Sequence, residues 1–419
     1  MKIAFISQPW NKMIPPVEAG SVAIWTYEVA RRLAASHDVV VYGKASWRQQ
    51  RVRHHEGIEY RYVWTGADAR LLRMIGRVPW ARGSRRPLFS WWLYYLGYIL
   101  QVAMDLQKRC CDVVHIHNFA QFAPVVRALN PHLPIVLHSH CEWLNQLGRR
   151  PTARRLGKTN LIVGCSKYIV NKIKLRFPKL ANRCRVVPNG VDVDSFANDI
   201  SRRPGKRLVF VGRLSPEKGL HVLLEAFESV ARQHADAHLD LIGPSTPASE
   251  NMEFTVKAAK DDSCAELEVF RDVDYLQHLQ GMVKPGLAGR VHFIGPVSHS
   301  ELVDHLKDAD VFINPSYTDA FPLTVLEAMC CSLPVVATSV GGTPEAVVDN
   351  ETGILVRSGD ALALAEGVNR LLDSAGMIQA MGKAARERIV RCFSWERVAE
   401  LLLERYREVV EELCAQEAG

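Results

Sequence analysis

Short runs of apolar, largely β-branched residues alternate with stretches of helical period along most of this chain. In the first half the runs cover residues 3–6, 39–42, 113–117, 135–138, 161–165 and 185–187. In the second half they cover 208–212, 239–243, 291–295, 311–314, 334–338 and 354–356. Near-continuous apolar strands parted by helices predict parallel sheets covered on both faces. Leu220, Leu223, Leu224, Phe227, Val230 and Ala231 follow the helical period. The pattern starts afresh near Leu208, after the turn-rich stretch 188–206. The predicted class is α/β, with two doubly wound, Rossmann-like domains over residues 1–200 and 201–395. Ligands in such domains bind beyond the carboxyl ends of the strands. A central cleft faced by both domains is then the default site. Trp395, Val398, Leu401, Leu402, Tyr406, Val409 and Val410 line one face of a last helix. Residues 396–419 are therefore expected to pack back on the N-terminal domain. Two segments break the pattern: 44–110, and the polar, acidic stretch 244–290 with one helix over 275–282.

Composition narrows the class. A chain of 419 residues, 48% hydrophobic and 23% charged, holds two or three domains with real cores. That excludes a disordered chain, a collagen-like chain and a small disulfide scaffold. The 10 cysteines are irregularly spaced, which fits a reduced, cytoplasmic setting. The apolar start is cut short by Gln8-Pro9, so no secretion signal is read. The longest apolar stretch, 89–104, is interrupted by Ser90, Gly97 and Gln101 and is too short to span a bilayer.

Charge is unevenly spread. Residues 1–200 hold 30 Lys and Arg against 12 Asp and Glu, and residues 201–419 hold 22 against 33. The basic excess is densest between Lys44 and Arg109. A basic half of this kind can meet nucleic acid, an anionic membrane or a phosphorylated substrate. Arg70, Arg73, Arg77, Arg82, Arg85 and Arg86 precede Trp91-Trp92-Leu93-Tyr94-Tyr95. Arginines beside Trp and Tyr suit an anionic membrane surface over residues 70–104, or a phosphorylated acceptor; the plainer reading is a solvated loop before a buried helix. No nucleic-acid module is present, and nucleic acid is not expected as a partner.

Two segments carry chemistry. In Val211-Gly212-Arg213-Leu214-Ser215-Pro216-Glu217-Lys218-Gly219 a strand gives way to a helix. Its two cations can clamp a diphosphate, aided by the helix N-terminus. In the second, Asp319 lies in a loop and Glu327 about one turn into a helix starting near Leu323. Carboxylates suit sugar hydroxyls because each accepts several hydrogen bonds. Phe321, Pro322, Leu323 and Thr324, at the start of that helix, are candidate donor contacts, since its free N–H groups favour phosphate. The alternative is that Arg213 and Lys218 are surface charges, Asp319 caps the helix and Glu327 is exposed.

Together these segments resemble family 4 of the retaining glycosyltransferases, which have the GT-B fold. Gly212, Arg213, Lys218 and Gly219 match the family's G-R-x-x-x-x-K-G loop, and Asp319…Glu327 matches its E-x7-E spacing with Asp at the first position. The resemblance implies that Arg213 and Lys218 hold the donor diphosphate, Asp319 contacts the transferred sugar and Glu327 the nucleotide ribose. Pro188-Asn189-Gly190-Val191-Asp192…Phe196, Gly341-Gly342-Thr343-Pro344-Glu345 and Gly353-Ile354-Leu355-Val356 extend it. The stretch from Pro15 to Ser21 is similar to the family's N-domain glycine loop, with Ala19 in place of the first glycine and Gly20 as the second, a donor contact. Ile24-Trp25-Thr26-Tyr27-Glu28 resembles members of bacterial polysaccharide and spore-coat type. His140, ending Pro134-Ile135-Val136-Leu137-His138-Ser139-His140, matches a family His that reaches the donor sugar.

The expected activity is retaining, metal-independent transfer of a sugar from a nucleotide-diphosphate sugar to a glycan, lipid-linked or small-molecule acceptor. His140, Asp319 and Glu327 are the candidate catalytic residues, and no cofactor and no enzymic nucleophile are expected. The expected place is the cytoplasm, peripheral at the inner membrane face. A nucleotide-sugar epimerase and a non-catalytic nucleotide-sugar-binding protein are the alternatives. Asp192-Val193-Asp194, Asp272-Val273-Asp274 and Asp308-Ala309-Asp310 mimic metal-binding triplets, and Cys110-Cys111 with His115 and His117 mimic a zinc set. Core packing is the expected role of the latter group, with His117 at a strand end where it can line the cleft.

Overall fold

The computed structural model describes residues 1–18, 20–45, 50–77, 87–196, 206–245 and 266–418. It divides into two compact units, Met1–Pro188 with the helix from Trp395, and Asn189–Ser394. The signature Asn189–Phe196, grouped with the first domain in the sequence reading, thus belongs to the second unit.

The first unit is built on eight strands: β1 (Lys2–Ile6), β2 (Asp38–Lys44), β3 (Val52–His55), β4 (Ile58–Val63), β5 (Val113–His117), β6 (Ile135–Ser139), β7 (Leu161–Gly164) and β8 (Cys184–Val186). Their order is β3-β4-β2-β1-β5-β6-β7-β8. All neighbours run parallel except β3 with β4. β5 and β6 are buried at every position, the burial expected of strands covered on both faces. The β3–β4 hairpin went unread because it is a one-sided edge. β4 alternates buried Ile58, Tyr60 and Tyr62 with polar neighbours, and β3 is polar. Glu56 and Gly57 turn it with φ of 48° and 75°, the left-handed pair a two-residue hairpin needs.

Helix Trp395–Ala418 packs on helix Ser21–Leu33 in this unit. Trp395, Val398, Leu402, Tyr406 and Val409 are buried on it. Burying such a face at roughly 25 cal/mol per Å2 is the main force holding the helix in place.

The second unit has six parallel strands, β9 (Arg207–Val211), β10 (His238–Ile242), β11 (Val291–Gly295), β12 (Val311–Asn314), β13 (Val335–Thr338) and β14 (Gly353–Val356), in the order β11-β10-β9-β12-β13-β14. Helices Leu220–Gln233 and Ala361–Leu372 pack together over one face. Leu223, Phe227, Val230, Leu364, Val368 and Leu371 supply their buried stripe.

Each sheet reverses its strand order once. In the first unit this happens between β1 and β5, and in the second between β9 and β12. Loops leaving such a pair diverge to opposite faces and open a crevice at the strand ends.

Candidate functional site

The crevice of the second unit collects the two motif segments. The loop after β9 carries Arg213 to Gly219, and the loop after β12 carries Pro315 to Pro322. They touch where Gly219 adopts φ 69°; a Cβ there would stand 2.1 Å from the Pro315 carbonyl oxygen, so the approach demands glycine. The Tyr317 N–H donates to the Glu217 carbonyl at 2.9 Å. Lys218 Nζ then reaches Asp319 Oδ2 at 2.6 Å, with both side chains largely shielded. Beside them Arg213 pairs with Glu217 Oε1 at 3.0 Å. Ser215 donates to the same oxygen at 2.8 Å. Glu217 is buried while the Arg213 side chain is 54% exposed. A buried carboxylate thus steers a cation that still faces solvent.

A third loop closes over Asp319. The Gly342 N–H donates to the Asp319 carbonyl at 3.0 Å. Gly341 sits at φ 57°, where a Cβ would lie 1.6 Å from that carbonyl oxygen. Helix Leu323–Cys330 starts at Pro322 with no side-chain cap, which leaves its first N–H groups available. Asn189 Nδ2 donates to the Phe321 carbonyl at 2.8 Å and pins the approach to that helix. Leu323 and Thr324 are half-buried, whereas Phe321 and Pro322 are buried. Glu327 is buried, and burial pushes its carboxyl up to about 7. It is neither an exposed surface charge nor firmly ionised at neutral pH. Two cations, an uncapped helix start and two carboxyls suit an anionic group joined to hydroxyl-bearing sugars.

The first unit builds a different site. His115 and His117 from β5, with His138 from β6, are fully buried around Trp25. His140 follows β6 and packs against His138, with ring centres 3.9 Å apart and planes tilted by 31°. His140 Nε2 meets His117 Nδ1 at 2.9 Å, and His117 Nε2 meets the Thr26 hydroxyl at 3.0 Å. Tyr406 OH lies 2.7 Å from His115 Nδ1. The Asn118 side chain accepts from the His140 N–H at 2.8 Å. Burial, then the neighbouring imidazoles, hold His115, His117 and His138 well below the usual histidine range, so all three are neutral.

Of the sequence-predicted residues, Arg213, Lys218, Asp319, Phe321, Pro322, Leu323, Thr324 and Glu327 lie in the second unit; Gly20 and His140 lie in the first. Gly20 adopts φ 86° immediately before helix Ser21–Leu33. Ala19, Arg82, Arg85, Arg86 and residues 246–265 of the acidic stretch lie outside the described residues. His117 does not line an opening, as its strand-end place suggested: it is 0% exposed, because β5 is covered on both faces. The acidic triplets serve local structure. Asp192 accepts from the Asp194 and Ser195 N–H groups, Asp274 caps helix Tyr275–Met282, and Asp310 accepts from the Arg207 N–H. His115, His117 and His138 bring ring nitrogens within 4.8 Å of one another, but His117 has both nitrogens engaged and keeps none for an ion. Glu217, Asn189, Thr26, Trp25 and Tyr406 were missed as supporting residues. Glu217 left a signal as a carboxylate between the two loop cations, and Asn189, Trp25 and Thr26 stood in segments that resemble the family.

A pair of doubly wound units, the second with this cation and carboxyl arrangement at its strand ends, defines the GT-B glycosyltransferase class. The family model described as Glycosyltransferase Family 4 matches residues 22–195, and that described as Glycosyl transferases group 1 matches residues 194–388. The chain belongs to this glycosyltransferase family and is a transferase. Spore coat protein SA of Bacillus subtilis is 26% identical, over 97% of this chain and 100% of its own. A D-inositol 3-phosphate glycosyltransferase of Corynebacterium diphtheriae is 28% identical, over 96% and 93%. Among solved structures, sucrose-phosphate synthase from Thermosynechococcus elongatus superposes with TM-score 0.72 at 22% identity, over 98% and 99% of the two chains. Anabaena HepE in complex with UDP and glucose superposes with TM-score 0.69 at 18% identity, over 97% and 100%. At these identities the structures show the GT-B fold.

Proposed function

We propose that this glycosyltransferase moves a sugar from a nucleotide-diphosphate sugar to a glycan, lipid-linked or small-molecule acceptor, with retained configuration and no metal ion. The observation that carries the reading is the meeting of Arg213, Lys218 and the uncapped start of helix Leu323–Cys330 at one switch point. Breaking the sugar–phosphate bond builds negative charge on the departing diphosphate and positive charge on the sugar. Arg213, Lys218 and the Leu323 and Thr324 N–H groups stabilise the leaving group electrostatically. Asp319, already beside Lys218, contacts the transferred sugar. Glu327 accepts from the ribose hydroxyls, whose donors favour its ionised form. His140 and Gly20, which lie in the first unit, are the remaining candidate donor contacts. The leaving phosphate takes the acceptor's proton on the face of departure, which retains the configuration.

A UDP complex of a protein with the same fold supports a nucleotide-linked donor. Polysaccharide-type acceptors fit the spore-coat relative. An anionic lipid surface as partner is supported by helices Gly66–Gly76 and Leu96–Leu106, which pack together. Around them Trp64, Met74, Trp92 and Met104 are exposed, in the segment that also carries Arg70, Arg73 and Arg77. No helix among the described residues is long and apolar enough to cross a membrane.

The test is a thermal-shift panel of UDP-, GDP- and ADP-sugars, with and without EDTA. A bound donor raises Tm in proportion to its occupancy. A shift that survives EDTA and disappears in Arg213→Ala/Lys218→Ala supports the reading. A panel with no shift overturns the donor site, and a shift abolished by EDTA overturns metal independence.

A further inference from the structure

Helix Leu323–Cys330 is finished at one end and open at the other. Its last four backbone carbonyls all find donors. The Glu327 carbonyl accepts from the Cys331 N–H, that of Ala328 from Leu333 and that of Met329 from Ser332, each at 3.1 Å. The Cys330 carbonyl accepts from the Arg386 guanidinium at 2.5 Å. This cation stands at the negative end of the helix dipole, where positive charge is favoured. The helix start has no side-chain cap of this kind. With 8 residues the helix is too short to hold its own direction, so whatever grips it sets its aim.

One segment, 189–196, grips both ends. At the start, Asn189 Nδ2 holds the Phe321 carbonyl. The Val191 N–H donates to the Phe393 carbonyl at 2.9 Å, and the Phe393 ring packs on that of Phe321 with centres 5.5 Å apart. At the end, Arg386 Nη2 donates to the Val193 carbonyl at 3.2 Å, and Nη1 lies 3.5 Å from that of Phe196. Arg386 sits on helix Ala375–Cys392, which packs on helix Leu323–Cys330. The approach is close: a Cβ at Gly382 would stand 2.0 Å from the Ser332 carbonyl oxygen. We propose that Asn189 and Arg386 are positioning residues for donor binding: with segment 189–196 they splint helix Leu323–Cys330 at both ends and aim its open N–H groups and Glu327 at the nucleotide diphosphate. Aim matters because a hydrogen bond weakens steeply with angle, and donors fixed in advance need no reorganisation when charge develops. The inference rests on the donor role proposed for that helix.

Calorimetric titration of the full chain with UDP, GDP and ADP, well below the Tm of every variant, tests it. Arg386→Gln removes the guanidinium, and Asn189→Ala removes the amide. Each is expected to weaken the nucleotide that the wild type prefers about tenfold, short of the hundredfold that misplacement by roughly 1 Å can cost. Arg386→Lys keeps the charge without the planar fork and is expected to fall between wild type and Arg386→Gln. Asn189→Ala/Arg386→Gln is expected to lose less than the product of the single losses, because releasing one end already frees the helix. Hydrogen exchange of the free protein gives a second reading: amides 326–331 are expected to exchange faster in the variants, while those of β9, β12 and β13 keep their rates. Variants that bind nucleotide as the wild type does overturn the proposal and leave the donor site standing. Unchanged exchange at 326–331 overturns it too, as does exchange that rises across the whole unit, the mark of a general loss of stability. A double variant that loses the full product overturns the shared splint. A wild type that binds none of the nucleotides overturns the donor site itself, and the positioning role with it.

Discussion

The two switch points solve the placement of polar groups in opposite ways. In the second unit, formal charges are kept at a half-open crevice and steered by partners: Arg213 by Glu217, and Lys218 by Asp319. In the first unit, four imidazoles nest around Trp25, and the three buried ones are kept neutral. Charge near solvent costs little and attracts anions at a distance. Neutral rings inside a sheet cost little only while they stay neutral and hydrogen-bonded. The comparison teaches that one topology can present either a charged clamp or a buried cluster of neutral rings.

The largest expected effect breaks the charged half. Arg213→Ala/Lys218→Ala should lower kcat/KM by about 1,000-fold or more, the scale of removing preorganised charge stabilisation, beside a drop in the Tm of the free protein because Glu217 and Asp319 lose their cations. Steady-state kinetics with the panel-selected donor, beside a melting curve, checks both parts. The counterpart for the neutral half is Trp25→Ala. Trp25 is 0% exposed, so its loss should cost about 3–5 kcal/mol in denaturant unfolding.

Acid and base should separate the halves. The buried histidines have native values well below the unfolded 6.5, so their contribution is present above pH 6.5 and lost as pH falls beneath it. Glu327 has a native value of about 7 against 4.5 unfolded. Its contribution is complete below about pH 4.5 and is lost as pH rises through 7. Glu327→Gln should therefore stabilise the free protein at pH 8 by roughly 2–3 kcal/mol, leave pH 4 unchanged and weaken donor binding. Melting curves across that range and calorimetric titration with donor measure it. The smallest effect is expected from Asp319→Asn, which leaves Lys218 without its ion pair and should cost about 1 kcal/mol. A loss several times larger would show that the pair holds the loops together rather than merely orienting the lysine.

Much of the second unit was legible in advance, for a physical reason. Its inner strands are near-continuous apolar runs, and its candidate site is carried by two local segments whose spacing survives in the linear chain. Arg213 and Lys218 were readable because one loop must hold both. Asp319 and Glu327 were readable because one loop and one helical turn separate them. The first unit was read less fully. The β3–β4 hairpin hid because a strand buried on one face only, such as Ile58–Val63, alternates instead of running apolar. The histidines were noticed singly, yet their partners Thr26 and Tyr406 lie 91 and 291 residues from His117 and His115. No spacing rule connects positions that far apart.

The sequence by itself determined the alternation of strands and helices, the two-unit organisation, the cation loop and the acidic pair, because each depends on residues close along the chain. The tertiary structure alone decided that Lys218 pairs with Asp319, that Glu327 is buried and so titrates near 7, and that His117 is sealed between Thr26 and His140. Burial and hydrogen-bond direction depend on which distant segments close around a group, and that is set only when the sheets assemble.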